Sequence, residues 1–210
     1  MWSLEPVPSD LALLPEQTAA ALPDHVAFAT QPTILAAIDD PAVTLAVWQR
    51  PSPLDRAEIG DLAPVRFAAP APAVERILAD LLASDGPGRA WHPIVAQDAG
   101  RLATLFASLS GEERVEVRLE RVTGNGCWKF HADYVALRMI STYCGQATQW
   151  LPLGADTDTP PRALAAGDVG LFKGRALAGD RAIIHRSPPI AGSGEERLLL
   201  VIDAEWPERD

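Results

Sequence analysis

Val115-Glu116-Val117-Arg118-Leu119-Glu120-Arg121-Val122 alternates apolar and charged residues. That period of two marks an antiparallel strand with one face on a core and the other toward polar surroundings. Toward the C-terminus, further strands are predicted over residues 136–143, 148–151, 169–172, 182–185 and 197–203. Turn signals at Gly124-Asn125-Gly126, Gly145, Gly167-Asp168 and Gly192-Ser193-Gly194 separate them. Strands that follow one another without intervening helices point to a sandwich or a barrel. Toward the N-terminus the texture is helical. Residues 73–83 place Val74, Ile77, Leu78, Leu81 and Leu82 on one helix face, and Gly86-Pro87-Gly88 ends the pattern. A second helix is predicted over 98–108 with Leu102, Leu105 and Phe106 inward, a short one over 32–38, and a strand over 43–48. Prolines between Pro51 and Pro72 argue against a long regular element there, and residues 1–30 (Pro6, Pro8, Pro15, Pro23) read as surface wrapping with one helix. The expected architecture is α+β: a mostly helical N-terminal extension over 1–110 packed on a β core over 111–210, as one compact unit.

Composition narrows the function classes. The chain has 210 residues, 48% hydrophobic and 22% charged, which is globular and neither disordered nor fibrous. No run approaches the roughly 18 apolar residues of a membrane helix, and Met1-Trp2-Ser3-Leu4-Glu5 has no basic leader. The expectation is a soluble, cytoplasmic protein with no membrane partner. A net charge of −10 repels polyanions and argues against nucleic acid. The charge is uneven, however: residues 118–197 carry 10 basic and 8 acidic side chains, so an anionic small molecule is easiest to hold in that segment.

The same segment holds the residues with metal chemistry. His131 and Asp133 are two apart, so on extended backbone both side chains address one face. His185 lies 52 residues beyond Asp133. Two histidines and one carboxylate on one face of an octahedron leave three open positions, the facial triad of non-haem Fe(II) oxygenases.

The order of motifs resembles the Fe(II)/2-oxoglutarate-dependent dioxygenase superfamily. It runs His131-Ala132-Asp133, a strand at Arg138-Met139-Ile140-Ser141-Thr142-Tyr143, Gly145-Gln146-Ala147-Thr148, Gly167-Asp168-Val169-Gly170-Leu171-Phe172, His185-Arg186-Ser187-Pro188-Pro189 and Arg197-Leu198-Leu199-Leu200-Val201. The match covers about residues 115–206. The resemblance implies a double-stranded β-helix (jelly-roll), with His131, Asp133 and His185 as iron ligands. It implies Arg197 on the distal carboxylate of 2-oxoglutarate, a role suited to a guanidinium, which grips a carboxylate in bidentate fashion. Tyr143 and Thr148 are further candidates for that pocket. The implied reaction is decarboxylation of 2-oxoglutarate coupled to hydroxylation of a substrate, small molecule or protein. The whole chain also resembles an uncharacterised bacterial family of unknown function, whose members are often encoded beside metallochaperone GTPases linked to zinc homeostasis.

Other readings of the same residues stay open. Cys127, four residues before His131, would make a mixed zinc set with His131, Asp133 and His185, and Cys144 is a second soft donor nearby. A non-catalytic zinc or iron homeostasis protein on the same fold is the alternative function, and a metal-free interaction module is a third. Arg138 lies at an odd offset from Asp133, which puts it on the opposite face of a continuous strand and on the same face only after a bulge. Arg186 is expected to face away from the metal. Trp128, Trp150 and Arg138 are candidates for the substrate pocket, the tryptophans otherwise serving as packing. His25 and His92 read as surface or loop residues.

Overall fold

The computed structural model describes residues 23–54, 59–85, 88–156 and 158–205. Of the wrapping expected over residues 1–30, residues 1–22 lie outside the described residues, as do Gly86 and Pro87 of the first helix's turn signal, while Val26–Ala29 form a strand instead.

In chain order come β1 (Val26–Ala29), a 3-10 helix (Pro32–Asp39), β2 (Leu45–Trp48), β3 (Val65–Pro70), α1 (Val74–Ser84) and α2 (Trp91–Ser110). Then follow β4 (Arg114–Val122), β5 (Leu137–Cys144), β6 (Gln149–Trp150), β7 (Arg162–Ala163), β8 (Val169–Lys173), α3 (Arg175–Ala178), β9 (His185–Arg186) and β10 (Arg197–Ala204). Seven strands form one sheet in the order β1-β2-β8-β5-β10-β4-β3, antiparallel except for the β1/β2 pair. A smaller sheet has the order β7-β6-β9.

β10 explains why this arrangement buries so much. It lies between β5 and β4 with both neighbours antiparallel, so its unbroken apolar run meets protein on both sides. Leu198, Leu200 and Ile202 join Val115, Val117 and Leu119 of β4 under the helices, where Leu78, Leu82, Leu102 and Phe106 complete the larger core. The opposite face supplies a second core in which Leu45, Val47, Ile140 and Phe172 of the large sheet meet Trp150 of the small one. The alternation in β4 therefore separates the helix side from a side that carries Arg118 and Glu120.

Several elements differ from expectation for local reasons. Helix α2 begins at Trp91, seven residues before the predicted start. Pro93 sits in its first turn, where an N–H has no intrahelical partner and its loss is harmless. Gly111 ends that helix in the left-handed region (φ 76°), its N–H donating to the Ala107 carbonyl. β3 forms within the proline-rich stretch because it is an edge strand with Pro70 at its end. With β1 and β2 it means that the first half of the chain contributes strands to the large sheet as well as helices. β6 and β9 are two residues each, shorter than predicted. No helix among the described residues is long and apolar enough to cross a membrane.

Leu200 is 1% exposed at the middle of β10. Leu200→Ala should lower stability in urea denaturation by about 2–5 kcal/mol, and an unchanged midpoint would contradict the central place given to this strand.

Candidate metal centre

The small sheet brings the histidines together. His185 opens β9 opposite Trp150 of β6. The chain then pairs once more, at His131: its N–H donates to the His185 carbonyl at 3.0 Å, and the His185 N–H returns the bond at 2.9 Å. Asp133 follows in a loop that leads into β5, and its carbonyl accepts the Arg175 N–H at 2.8 Å. Gly174 lets that loop lie close. A Cβ there would meet the Val135 carbonyl oxygen at 2.2 Å and that of Asp133 at 2.9 Å.

His131, Asp133 and His185 each offer a donor atom, and the three atoms lie within 4.8 Å of one another. His185 Nε2 is 3.1 Å from Asp133 Oδ2, and His131 Nε2 is 3.7 Å from Asp133 Oδ1. Ligands about 2.1 Å from one ion stand about 3 Å apart at right angles, a spacing that His185 Nε2 and Asp133 Oδ2 already have, with His131 Nε2 on the same side of the carboxylate. The polar bookkeeping agrees. Asp133 Oδ2 is buried and makes no hydrogen bond. His131 Nδ1 lies 2.8 Å from the Lys129 carbonyl oxygen, to which an N–H there donates, leaving the lone pair on Nε2. These donors fit a divalent metal.

Arg138 controls the other side of the carboxylate. Its Nη1 is 2.5 Å from Asp133 Oδ1, while Nε and Nη2 donate to the two oxygens of Asp203 at 2.8 and 2.7 Å. The offset rule fails here because Asp133 precedes β5 and is not part of the strand, so Arg138 shares the metal face without a bulge between them. Burial pushes the Asp133 carboxyl up, but the adjoining His185 imidazole and the Arg138 guanidinium more than offset it and hold it at about 2.

A cavity of about 100 Å³ adjoins the cluster, lined by His131, His185, Thr148, Arg138, Ile140 and Leu199 among others. Ile140 and then Thr142 continue the Arg138 face of β5. Thr142 pairs with Leu199, and beyond them lies Arg197, 0% exposed. Its Nε donates to the Gln146 carbonyl and Nη2 reaches Thr142 Oγ1 at 3.5 Å, while Nη1 is buried without a partner. Burial pulls this guanidinium down to about 10. A buried cation with an orphan N–H group fits an organic carboxylate such as the distal end of 2-oxoglutarate.

Tyr143 is not in this cavity. It is the next residue after Thr142 and points to the helix side, where its hydroxyl donates to Asp98 Oδ2 at 3.0 Å. Asp98 also takes both terminal nitrogens of Arg50 at 2.6 Å. Burial and the Asp98 charge push the Tyr143 hydroxyl well up. Trp150 is buried in the inner core beside Phe28, whose ring centroid is 6.3 Å away. Trp128 is exposed and shares a shallow hollow with Lys129 and His131 at the mouth. Arg186 stacks over Phe130 at 4.3 Å and donates to Gln149 Oε1, at the rim of the cavity. Cys127 is exposed and Cys144 half-buried on β5, and neither belongs to the donor cluster. His92 is buried in α2 against Trp91 and is not a surface or loop residue, whereas His25 does lie in a turn, just before β1, and ties Thr44 to the Leu153 N–H.

Residues 29–203 match the family described as Protein of unknown function (DUF1826), and the chain belongs to that family. No curated protein matches it. Among solved structures, the chain is similar to the dioxygenase for auxin oxidation from rice, at 17% identity and TM-score 0.46 over 69% of this chain and 57% of that one. The Arabidopsis thaliana dioxygenase for auxin oxidation 1, in a 2-oxoglutarate binary complex, gives 11% and 0.47 over 69% and 63%. The chain thus spans less than two thirds of either plant enzyme. An oxidoreductase of the 2OG-Fe(II) oxygenase family from Burkholderia pseudomallei gives 14% and 0.41 over 83% and 92%.

Folding lowers the Asp133 pKa from its ordinary 3.8 to about 2, so the unfolded chain takes up the proton first. The carboxylate's contribution is therefore complete above the ordinary value and is lost as pH falls toward 2. The urea stabilities of wild type and Asp133→Asn should converge across that window, and a constant difference would contradict the assignment.

Proposed function

We propose that this protein is an oxygenase of the Fe(II)/2-oxoglutarate-dependent kind, its two sheets forming a double-stranded β-helix. In this reading His131 and His185 through Nε2, and Asp133 through Oδ2, hold iron. Arg197 receives the distal carboxylate of 2-oxoglutarate, with Thr142 and Thr148 beside it. The observation that carries the reading is the pairing of a two-histidine, one-carboxylate cluster, in which His185 is buried and His131 and Asp133 are partly buried, with a fully buried, carboxylate-free arginine on the same side of the large sheet. Arg138, beside the metal cluster, and Thr142, beside Arg197, are both on one face of β5, four residues apart, so the two ends of the proposed pocket share one strand face. When bound, iron with 2-oxoglutarate supplies the oxidising power of dioxygen for hydroxylation of a substrate C–H bond. The chain's own residues bind and orient. Arg197 fixes the direction of the diacid, Leu199 and Ile140 keep its methylenes out of water, and Arg138 keeps Asp133 ionised. Trp128 at the mouth offers an exposed aromatic surface to the substrate.

The carrier alternative, zinc or iron bound without catalysis, has no use for Arg197. Calorimetric titration of the manganese-loaded protein with 2-oxoglutarate separates the two. Wild type should bind, and Arg197→Met should weaken binding by about 2–5 kcal/mol, the usual cost of truncating one half of a buried charge pair. The variant's metal affinity should stay the same and its metal-free stability equal or exceed that of wild type, because an uncompensated buried charge has been removed. No heat with wild type would overturn the oxygenase reading and favour the carrier.

A further inference from the structure

Resting on the metal reading above, we propose that Arg138 is a positioning residue for the metal ligand Asp133, aimed in turn by Asp203. Arg138 and Asp203 face each other directly across the β5/β10 ladder. Asp203 takes Nε and Nη2 of Arg138 with one oxygen each. Because a guanidinium is planar and rigid, fixing those two nitrogens fixes the third. That third nitrogen, Nη1, meets Asp133 Oδ1 at 2.5 Å. The side chains of all three residues are mostly buried, between 10 and 16% exposed, so water competes little for these contacts.

The consequence is a carboxylate with two unlike oxygens. Oδ1 is tied to a cation, and Oδ2 is left buried and without a hydrogen bond beside His185 Nε2. Arg138 thereby restricts Asp133 to a single ligating oxygen and keeps the remaining positions around the metal open for other ligands. The sheet register, through Asp203, sets the direction of that oxygen. Asp203 thus acts on the metal site without touching it.

Two opposite effects make the test decisive. As a cation, Arg138 repels a divalent metal, so its removal by charge alone would tighten binding. As a positioning residue, its removal frees the carboxylate to rotate and loosens binding. The experiment titrates wild type, Arg138→Gln, Arg138→Lys and Asp203→Asn with Co(II), followed by the visible absorption of the bound ion and by calorimetry, together with the thermal midpoint of each metal-free protein. Arg138→Gln should raise the Co(II) Kd by about 10- to 100-fold, the range found when an outer partner of a ligand is lost. Asp203→Asn should raise it in the same direction by a smaller factor. Arg138→Lys should not restore it, since an ammonium cannot bridge two carboxylates in a fixed plane. A purely structural pair would lower the metal-free midpoint and leave Kd and the Co(II) spectrum unchanged. An unchanged or lower Kd in Arg138→Gln, or in Asp203→Asn should the former not fold, overturns the inference while leaving the metal reading intact. A wild type that takes up no Co(II) overturns both.

Discussion

A carboxylate turned into a protein interior stays ionised only where positive groups face it. At Asp133 the positive group is the Arg138 guanidinium on one oxygen, with the His185 imidazole beside the other, and together they hold the carboxyl well below the range that burial alone would impose. The requirement spreads outward. Arg138 is itself buried and needs Asp203. Asp203 stands opposite it only because β5 and β10 pair in one register. That register is fixed by the apolar faces of both strands, since a slip of one residue would turn Leu198, Leu200 and Ile202 away from the helices. One ionised oxygen at the centre and the packing of two helices at the back of the sheet are in this sense a single constraint.

The two faces of the large sheet divide the labour. The helix side is almost wholly apolar, and its main polar cluster, Arg50-Asp98-Tyr143, is closed on itself. The opposite side keeps unsatisfied polar atoms: Asp133 Oδ2, His185 Nδ1 and Arg197 Nη1 are all buried without partners. Buried polar groups in folded proteins are nearly always paired, and although Trp91 Nε1 and Ser141 Oγ on the helix side also lack partners, only the opposite side combines such atoms with a cluster of metal-type donors and a buried cation.

What could be read from the sequence follows the reach of each local rule. β4 was legible because alternation is a local property, and its apolar positions do face the helices. His131, Asp133 and His185 were legible through donor chemistry and motif order, and the structure brings them together although Asp133 is not on a strand. Parity left the side of Arg138 open, because a period of two holds only while the backbone stays extended and Asp133 lies in the loop before β5. Motif order alone does not say which of two adjacent residues faces the pocket: Tyr143 points to the helices, and the face of β5 that reaches Arg197 presents its neighbour Thr142. Asp203 went unnoticed, although a lone carboxylate near the end of an apolar strand is a signal that something buried needs its charge. The early start of α2 and the short strand β3 are hidden in the sequence because proline, which stops most regular elements, is tolerated in a first helical turn and at a sheet edge.

The central claim is that the three donors and Arg197 form one site for a metal and a 2-oxo acid together. The most direct measurement is the visible spectrum of the anaerobic protein with Fe(II), before and after addition of 2-oxoglutarate. The account predicts a charge-transfer band that appears only when protein, Fe(II) and 2-oxoglutarate are all present, and that is lost in Asp133→Ala. A spectrum that 2-oxoglutarate leaves unchanged, in a protein shown to have bound Fe(II), would contradict it.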